Sequence, residues 1–368
     1  MSKKIRIGIL FGGRSAEHEV SLRSANNIIN ALDKDKYDVV LIGIDKSGQW
    51  YLNESSTFLL NATDAKNVKL GEGGTSVVLK PGQQENQLVP LSGDASPNQL
   101  DVVFPVLHGT YGEDGTMQGL LKLADIPFVG PGVLGSAVCM DKDVSKRLMR
   151  EAGIPVAKAH TYKSFQRAKI DLQQVEDDLG FPCFIKPANL GSSVGISKAT
   201  TQQELSDAID MAFRFDHKII IEEMIEGREI ECSVLGNDEP IVSIPGEILP
   251  QHDFYSYEAK YLDDKGALLE IPAKLNDEQV KAIQDLAIRT YQTLCCEGLS
   301  RVDVFLCKDD KIYVNEVNTL PGFTRISMYP KLWEASGISY SELLDRLIQL
   351  AIERGERERK LETSITLG

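Results

Sequence analysis

Short apolar runs separated by glycine turns and amphipathic segments organise the first third of the chain. An apolar run at residues 5–11 precedes a Gly12-Gly13 turn and a helix-compatible segment over 16–32, and further apolar runs follow at 39–44 and 102–107. Apolar strands joined by crossover helices are typical of a parallel sheet. We therefore predict a Rossmann-like domain over residues 1–140, with a polar insertion at about 53–99 that contributes at most a short hairpin.

The pattern changes after residue 140, where shorter strands and helices alternate. Asp141 is a good N-cap for a helix ending near residue 151. Beyond it we predict a helix at 172–179, strands at 183–186, 195–198 and 218–223, and a helix at 202–213. This order is typical of a small α+β lid domain, which we assign to residues 141–228.

A third domain is predicted over residues 229–368. Its expected elements are strands at 230–235 and 241–247, a helix at 277–295, a β-hairpin, and an amphipathic helix at 341–353 that frays into the charged stretch 356–360. The fold class is therefore α/β: a parallel-sheet domain followed by two α+β domains.

The hairpin carries the most specific chemistry. Runs at 301–306 and 311–318 flank a Lys308-Asp309-Asp310 turn. Because side chains alternate along a strand, Arg301 shares a face with Asp303, and Glu316 shares a face with Asn318. If the two strands pair in the register that the turn sets, Asp303, Glu316 and Asn318 would come together as hard oxygen ligands of the kind Mg²⁺ uses. Arg301 would lie beside them as a fixed cation. The alternative is an ordinary strand pair with a solvated polar face.

A second group of residues has the character of a phosphate site. Lys186 ends an apolar strand just before a glycine and serine loop at 189–195, and glycines allow backbone N–H groups to approach phosphate oxygens. A Walker loop is absent. The alternative for Lys186 is an ordinary strand-end lysine, and the alternative for the loop is an ordinary turn. Lys142, taken by itself, would be interpreted as a surface charge. Glu222, Glu223 and Glu229 could accept hydrogen bonds from ribose hydroxyls or lie on the surface.

Two residues of the first domain are candidates for substrate contacts. Glu17 lies near a helix start, where it either caps the helix or binds a substrate ammonium. His108 follows an apolar strand at the carboxyl edge of the predicted sheet, where α/β folds bind ligands. An aromatic and charged loop at 254–261 is of a type that closes over ligands. The GxGxxG fingerprint is absent, which disfavours a nicotinamide dehydrogenase.

Composition narrows the class of partner and the compartment. The 368 residues carry a formal net charge of -14, which argues against nucleic acid or an anionic membrane as a partner. A phosphate ligand must then be held by local cations. The six cysteines show no metal-binding or redox spacing, so we expect reduced thiols. Arg6 interrupts the first apolar run and no cleavage site follows it, so we predict a cytoplasmic protein.

Six segments together resemble a known family. FGGRSAEHEVS, HGTYGEDG, IKPANLGSSVG, YEAKY, RVDVF and NEVNTLPGFT, between residues 11 and 327, are similar to the D-alanine–D-alanine ligases of the ATP-grasp superfamily, and the insertion resembles their longer forms. The resemblance implies that ATP phosphorylates the carboxylate of one D-alanine and that the amine of a second D-alanine attacks the acyl phosphate. The product would serve peptidoglycan precursor synthesis. A homodimer is also expected.

The resemblance implies a role for individual residues. Glu17, with Ser192 and Tyr261, would orient the first substrate, and His108 would lie near it. Lys142, Lys186, Ser193 and Lys260 would hold the ATP phosphates, with Glu222 near the adenine, Glu229 at the ribose and Glu223 also in contact with the nucleotide. Two Mg²⁺ ions, or Mn²⁺, would be bound by Asp303, Glu316 and Asn318. Arg301 and the Gly322 N–H would stabilise the oxyanion, and Ser327 and Met328 would contact the second substrate.

Three alternatives stay open on the sequence. The chain could be a related ligase whose product is D-alanyl-D-lactate or D-alanyl-D-serine, although Tyr261 favours an amine nucleophile because the D-lactate enzymes replace it. Arg325 and Met328 leave the fine specificity open. A silent ATP-binding module would be expected to have lost a metal ligand or Arg301, and neither is lost. A dehydrogenase is suggested only by the first sheet.

Overall fold

The computed structural model describes residues 3–53, 59–60, 68–71, 73–82, 86–91, 99–191, 194–250, 267–324 and 326–362. Within these ranges the chain forms a mixed α/β architecture with three larger sheets that follow one another along the sequence. The predicted fold class is confirmed. Each of the first, second and third regions contains one of these sheets and corresponds to a proposed domain, except that the helix at 133–140 is grouped with the second region and the strand at 227–236 with the third. The exact domain boundaries stay a prediction.

The first region contains β1 (Ile5–Gly12), α1 (His18–Ala31), β2 (Tyr37–Ile44), β3 (Trp50–Asn53), β4 (Leu59–Leu60), β5 (Lys69–Leu70), β6 (Thr75–Leu79), β7 (Leu88–Pro90), β8 (Val102–Val106) and α2 (Thr116–Leu123). β1 pairs in parallel with both β2 and β8, as predicted. Strands from the insertion extend this sheet with antiparallel pairs, in the order β7-β6-β3-β2-β1-β8. The sheet is therefore mixed. The insertion contains the antiparallel pair β4–β5 as well as the hairpin β6–β7, so it holds more strand structure than the one short hairpin expected.

The second region contains α3 (Val133–Met140), α4 (Lys142–Glu151), β9 (Ala159–Lys163), a 3₁₀ turn (Ser164–Lys169), α5 (Leu172–Leu179), β10 (Cys183–Pro187), β11 (Ser197–Ala199), α6 (Gln202–Ala212) and β12 (Lys218–Glu223). Its antiparallel sheet has the order β11-β10-β12-β9. Asp141 caps α4 as predicted, because its carboxylate accepts from the backbone N–H groups of Asp143 and Val144 at 3.1 Å. The strand predicted at 195–198 starts two residues later than expected, at Ser197.

The third region contains β13 (Gly227–Gly236), β14 (Ile241–Val242), β15 (Gly246–Pro250), β16 (Ala267–Glu270), α7 (Asp277–Thr293), β17 (Gly298–Cys307), β18 (Ile312–Asn318), α8 (Met328–Ala335) and α9 (Tyr340–Arg359). The sheet runs β16-β15-β13-β17-β18, and β14 pairs with β13. β13 and β17 pair antiparallel along ten residues, so β17 is held on both sides. This central position gives the hairpin a rigid base.

The largest apolar cluster joins the first and third regions. Phe104 of β8 meets Phe323 edge to face, with ring centroids 5.6 Å apart, and Tyr329 and Trp333 of α8 belong to the same buried cluster. Leu320 is also part of this core. The segment that leaves β18 is therefore packed directly against the first sheet, and this packing positions the candidate site.

The strand predicted at 241–247 was wrong. The structure breaks it into β14 and β15, because Pro245 has no N–H to donate. The Ser243 hydroxyl accepts from the Ser233 N–H at 3.0 Å and donates to the Ile244 carbonyl at 2.8 Å, so a side chain takes over part of the ladder at the break. The alternation of apolar and polar residues in the sequence does not reveal that a side-chain hydroxyl replaces a backbone hydrogen-bond partner at this point.

The end of the final helix was also predicted wrongly. α9 continues to Arg359 rather than fraying at residue 356. Arg357 pairs with Glu297 at 2.7 Å, and Arg359 pairs with Asp125 at 3.0 Å. The charged stretch is helical because its charges have partners on neighbouring elements. The helices α3 and α8 were not predicted at all.

The state of the cysteines and the character of the helices are both visible in the structure. All six cysteines are described, and none forms a disulfide; four are buried. The prediction of free thiols is confirmed. Among the described helices, none combines the length and apolar character needed to cross a bilayer.

Replacing the buried Arg354 of α9 should destabilise the fold. Its guanidinium donates to the carbonyls of Gly130 at 2.5 Å and Phe128 at 2.7 Å, and it is 4% exposed. Arg354→Met leaves these carbonyls without donors, and we expect a loss of about 2–4 kcal/mol in the free energy of unfolding, measured by urea denaturation. Arg346→Met, at an exposed pair on the same helix, is the control and should stay near wild type. Equal stability of both variants would contradict this account.

Candidate active site

The hairpin of β17 and β18 pairs in the register that the sequence predicted. Arg301 lies opposite Asn318 and Asp303 lies opposite Glu316, with an irregularity in the ladder directly after Asp303. On the other face the side chains of alternating residues, including Val302 and Val304, are buried in the core. The polar face is therefore fixed by burial of the opposite one.

Arg301 and Asp303 form a two-point ion pair on this face. The Nε and Nη2 atoms of Arg301 each lie 2.7 Å from an oxygen of Asp303, and Nε is also 2.8 Å from Oε2 of Glu231 on β13. The Asn318 amide donates through Nδ2 to Asp303 Oδ2 at 2.9 Å. One partly buried guanidinium thus neutralises charge beside two carboxylates and an amide.

The residues predicted to bind Mg²⁺ lie together at this point. Asp303 and Glu316 are cross-strand neighbours, and because Asn318 uses its amide nitrogen toward Asp303, its carbonyl oxygen is the atom a cation would use. This set of hard oxygens fits Mg²⁺. In the part of the chain described here, no group of three or more His, Cys, Asp or Glu side chains has a metal-binding arrangement, and the predicted set contains only two carboxylates.

Lys142 connects the helix α4 to the hairpin. Its ammonium donates to the Leu190 carbonyl at 2.8 Å and lies 3.5 Å from Oε2 of Glu316. Its backbone N–H donates to the Ala188 carbonyl at 3.0 Å. Lys142 is 9% exposed, so it is not the surface charge that its position alone suggested.

A second charged cluster lies on β10, β12 and α4. Glu222 is 3% exposed and pairs with Lys186 at 2.7 Å and Lys146 at 3.0 Å. Burial opposes ionisation of Glu222, but the two ammonium groups outweigh it and lower its pKa to about 2. Burial lowers the pKa of Lys146, whereas for Lys186 the Glu222 charge outweighs burial and raises the pKa. Glu222 is thus the shared counter-ion of two lysines, and a contact with adenine stays a prediction.

The other two predicted nucleotide carboxylates lie nearby. Glu223 ends β12 and accepts from the Lys158 N–H at 2.7 Å. Glu229 lies on β13, opposite Phe305 of β17. Both line a cavity of about 790 Å³ together with Lys142, Lys186, Glu222 and Glu316.

A smaller cavity of about 370 Å³ is lined by the polar face of the hairpin. It shares Glu229, Phe305, Asn315 and Glu316 with the larger cavity. Its other predicted lining residues are Glu17, His108, Arg301, Asp303, Asn318, Gly322, Ser327 and Met328. Two compartments therefore adjoin at these four shared residues, one of which is Glu316.

Glu17 precedes α1 but does not cap it. Its side chain makes no capping hydrogen bond, so the bland interpretation of Glu17 was wrong. Its carboxylate approaches two glycines closely: a Cβ at Gly109 would lie 2.6 Å from Oε2, and one at Gly191 would lie 3.4 Å from it. Gly109 also has φ +73°, which favours glycine. Glu17 is 7% exposed, and its carboxylate lies between the loops that contain Gly109 and Gly191.

Three side chains of the first region hold the backbone that follows β18. His108 Nδ1 donates to the Leu320 carbonyl at 2.9 Å, and Glu113 accepts from the Leu320 N–H at 2.9 Å and from the Gly109 N–H at 2.8 Å. Ser24 accepts from the Phe323 N–H at 3.2 Å. We call Ser24, His108 and Glu113 the Leu320 clamp.

The clamp also fixes the state of His108. Burial lowers the pKa of His108, which favours the neutral imidazole. With Nδ1–H donating to Leu320, Nε2 is left to accept from the Ser24 hydroxyl at 3.3 Å. The described contacts of His108 are thus structural, and its predicted proximity to a substrate rests on its lining of the smaller cavity.

The segment held by the clamp ends at α8. The Ser327 hydroxyl accepts from the Thr324 N–H at 3.0 Å, and a Cβ at Gly322 would lie 2.8 Å from it, so the close approach favours glycine. Ser327 makes no side-chain cap to α8. Met328 buries its side chain with Ile248 and Leu332, so the group it can present to a ligand at the helix start is its N–H.

Some predicted residues lie outside the described ranges. These are Ser192 and Ser193 of the glycine and serine loop, Lys260 and Tyr261 of the segment 251–266, and Arg325. Their predicted roles stay predictions.

Comparison with known proteins decides the family. A model described as "D-ala D-ala ligase N-terminus" matches residues 6–131, and one described as "D-ala D-ala ligase C-terminus" matches residues 148–349. A relative from Shouchella clausii (strain KSM-K16), named D-alanine–D-alanine ligase, is 58% identical over 365 residues, 99% of each chain. The chain belongs to the D-alanine–D-alanine ligase family.

Solved structures of this family share the fold. The D-alanine–D-alanine ligase of Coxiella burnetii matches with a TM-score of 0.84 and 39% identity, over 98% of this chain and 97% of that one. The VanG D-Ala:D-Ser ligase of Enterococcus faecalis matches with a TM-score of 0.82 and 40% identity, over 95% of this chain and all of the other. The fold alone therefore does not separate the two substrate classes within the family.

Sequence reasoning missed four residues of this site. Ser24, Glu113, Lys146 and Glu231 contact predicted residues or the backbone beside them. Glu231 alternates with Glu229 on β13, and Lys146 lies one helical turn after Lys142, so periodicity could have found these two. Ser24 and Glu113 act on a segment roughly 200 to 300 residues away in sequence, for which no local signal exists.

Replacing Glu113 should change how stability depends on pH. Burial and the charge of Glu17 raise the pKa of Glu113 from 4.5 to about 8. Because the pKa of Glu113 is higher in the folded state, its proton stabilises the fold fully below pH 4.5, and this stabilisation is lost as the pH rises through about 8. We expect the free energy of unfolding to fall more steeply over this range for the wild type than for Glu113→Gln, measured by urea denaturation at several pH values. The lost hydrogen bond of Gln adds only a constant offset, and parallel pH curves would contradict the prediction.

Proposed function

We infer that the protein is an ATP-dependent ligase that joins two D-alanine molecules into D-alanyl-D-alanine, a peptidoglycan precursor. The observation that carries this inference is full-length identity of 58% to a relative that bears the name of this activity. The site adds chemical support, since its lysines, oxygen ligands and arginine suit reactions between anions. Two compartments that meet at Glu316 suit a transfer between two bound substrates.

ATP would occupy the larger cavity. Lys142 and Lys186 would bind its phosphates, and the loop with Ser193, together with Lys260 of the segment 251–266, would cover them. Glu222 pairs with Lys186 and Lys146 and holds them in place, while Glu223 and Glu229 would meet the adenosine. Because the chain carries a net charge of -14, these local cations are what makes an anionic nucleotide acceptable.

Asp303, Glu316 and Asn318 would hold two Mg²⁺ ions, with Glu316 shared between them; Mn²⁺ has similar ligand preferences. Bound there, the metal would neutralise charge on the transferring phosphoryl group. The same three residues orient one another through the cross-strand pairing and the Asn318–Asp303 hydrogen bond.

The first D-alanine would lie in the smaller cavity. Glu17, with Ser192 and Tyr261, would bind its ammonium, and His108 would form part of the wall. Its carboxylate oxygen would attack the γ-phosphorus of ATP, forming a C–O–P acyl phosphate and releasing ADP. Exclusion of water matters here because an acyl phosphate hydrolyses readily.

The second D-alanine would bind beside the start of α8. Ser327 and the N–H of Met328 would bind its carboxylate, which a helix N-terminus favours. Its amine would attack the acyl carbon, the C–N bond would form, the C–O bond to phosphate would break, and the amine would lose a proton. Arg301 and the Gly322 N–H would stabilise the oxyanion of the tetrahedral intermediate.

Three organisational features complete the proposal. The domains are assigned as 1–140, 141–228 and 229–368, a homodimer is expected as the oligomeric state, and the requirement for ATP favours the cytoplasm. These assignments rest on the resemblance and on the order of the three sheets.

A coupled assay tests the activity. Purified protein with ATP, Mg²⁺ and D-alanine should release one phosphate per D-alanyl-D-alanine formed, and addition of D-lactate or D-serine should not displace D-alanine from the second position. Folded protein that releases no phosphate would refute the proposed function. A product dominated by D-alanyl-D-serine would assign the chain to the other substrate class of its family.

Replacing Glu316 should abolish turnover without unfolding the protein. Glu316→Gln removes the carboxylate shared by the two ions, and we expect kcat to fall by on the order of 10³-fold or more, measured by phosphate release. Asp309→Asn in the exposed turn of the same hairpin is the matched control and should retain wild-type turnover. Near wild-type turnover of Glu316→Gln would show that the metal assignment is wrong.

A further inference from the structure

Glu231 is a buried carboxylate directly beside the oxyanion residue. It lies on β13 opposite Asp303 of β17, and it is 5% exposed. Its Oε2 lies 2.8 Å from Nε of Arg301. Burying a carboxylate is costly unless a cation compensates it, so its position depends on this contact.

Arg301 is shared between Glu231 and Asp303. Asp303 accepts hydrogen bonds from the Nε and Nη2 atoms at 2.7 Å, and the Glu231 carboxylate, on the neighbouring strand, lies 2.8 Å from Nε in an ion pair. Asp303 is also the carboxylate assigned to the metal. Oxygen atoms that ligate a cation become weaker acceptors for a guanidinium, so Asp303 alone would not hold Arg301 during the reaction.

Among the described residues, Glu231 does not join Asp303 and Glu316 in a metal-binding group of three acidic side chains. Its strand places it across from Asp303 on the side where Arg301 lies. Glu231 is therefore placed to act on Arg301.

We propose that Glu231 is a positioning residue that holds the Arg301 guanidinium at the acyl carbon while Asp303 serves the metal. The proposal rests on the proposed ligase function and adds a residue to its second step. With Glu231 in place, Arg301 stabilises the oxyanion that forms when the amine attacks. Without it, the acyl phosphate still forms, but attack by the amine slows.

A slowed second step has a specific chemical signature. The acyl phosphate that is not attacked by the amine reacts with water, which breaks the C–O–P linkage and returns D-alanine and phosphate. Phosphate release then exceeds dipeptide formation. A general loss of stability or of active protein lowers both products together and leaves their ratio unchanged.

The test compares Glu231→Gln with the wild type under saturating ATP, Mg²⁺ and D-alanine. Phosphate is measured enzymatically and dipeptide by mass spectrometry. We expect dipeptide formation to fall by about tenfold to hundredfold, the scale of one misplaced oxyanion donor, and the phosphate-to-dipeptide ratio to rise several-fold above its wild-type value. Calorimetric titration with a non-hydrolysable ATP analogue should show an unchanged dependence of binding on Mg²⁺.

Glu247→Gln is the matched control. Glu247 is also a 5% exposed glutamate of this sheet, and it pairs with Arg228 through contacts at 2.8 and 2.6 Å, remote from Arg301 in the ladder. It should keep the wild-type ratio. Glu231→Asp keeps the charge but places it one methylene further from Arg301, so its phosphate-to-dipeptide ratio should lie between those of wild type and Glu231→Gln. If Glu231→Gln does not fold, the ratio of Glu231→Asp tests the positioning role.

Two results would overturn the assignment. A wild-type phosphate-to-dipeptide ratio in the folded Glu231 variant excludes the positioning role. A changed Mg²⁺ dependence of analogue binding makes Glu231 a metal ligand instead. Absence of activity in the wild type would refute the proposed function itself, so the two failures are distinguishable.

Discussion

Hydrogen bonds between side chains of the first region and the backbone of Leu320 and Phe323 in the third region determine how this site is assembled. His108 donates to the Leu320 carbonyl and Glu113 accepts from the Leu320 N–H, while Ser24 accepts from the Phe323 N–H. Phe104 packs on Phe323 beneath them. The backbone between these contacts carries Gly322, so the position of the proposed oxyanion donor depends on side chains more than 200 residues away in sequence.

Charge compensation is the second constraint. Four described cations of the site have a buried or half-buried carboxylate partner: Lys186 and Lys146 share Glu222, Lys142 meets Glu316, and Arg301 lies between Glu231 and Asp303. Such pairs cost free energy to bury and contribute little net stability. Their value is positional, because they fix cations in an acidic protein at the places where anions react. The metal, the nucleotide and the acyl phosphate would then add charge to a site that is already oriented.

Local patterns predicted the parts of the site that lie on one element. The alternation along β17 and β18 predicted the shared face of Arg301, Asp303, Glu316 and Asn318, and the helix cap at Asp141 was evident from residue type. Patterns did not predict contacts across regions. Glu113 is typical of a loop carboxylate in sequence, and its function in the clamp depends on the packing of β8 against the segment after β18. Likewise, the partner of Glu222 could not be foreseen, because strand pairing rather than spacing brings Lys186 to it.

The Leu320 clamp is tested most directly by amide hydrogen exchange of the segment 319–324, followed by mass spectrometry. The account predicts slow exchange of Leu320 and Phe323 in the free protein. It further predicts that Ser24→Ala, which removes only the acceptor for Phe323 and the partner of His108 Nε2, accelerates exchange at Leu320 as well, because the clamp acts as one unit. Fast exchange of this segment in the wild type, or acceleration confined to Phe323 in Ser24→Ala, would contradict the account.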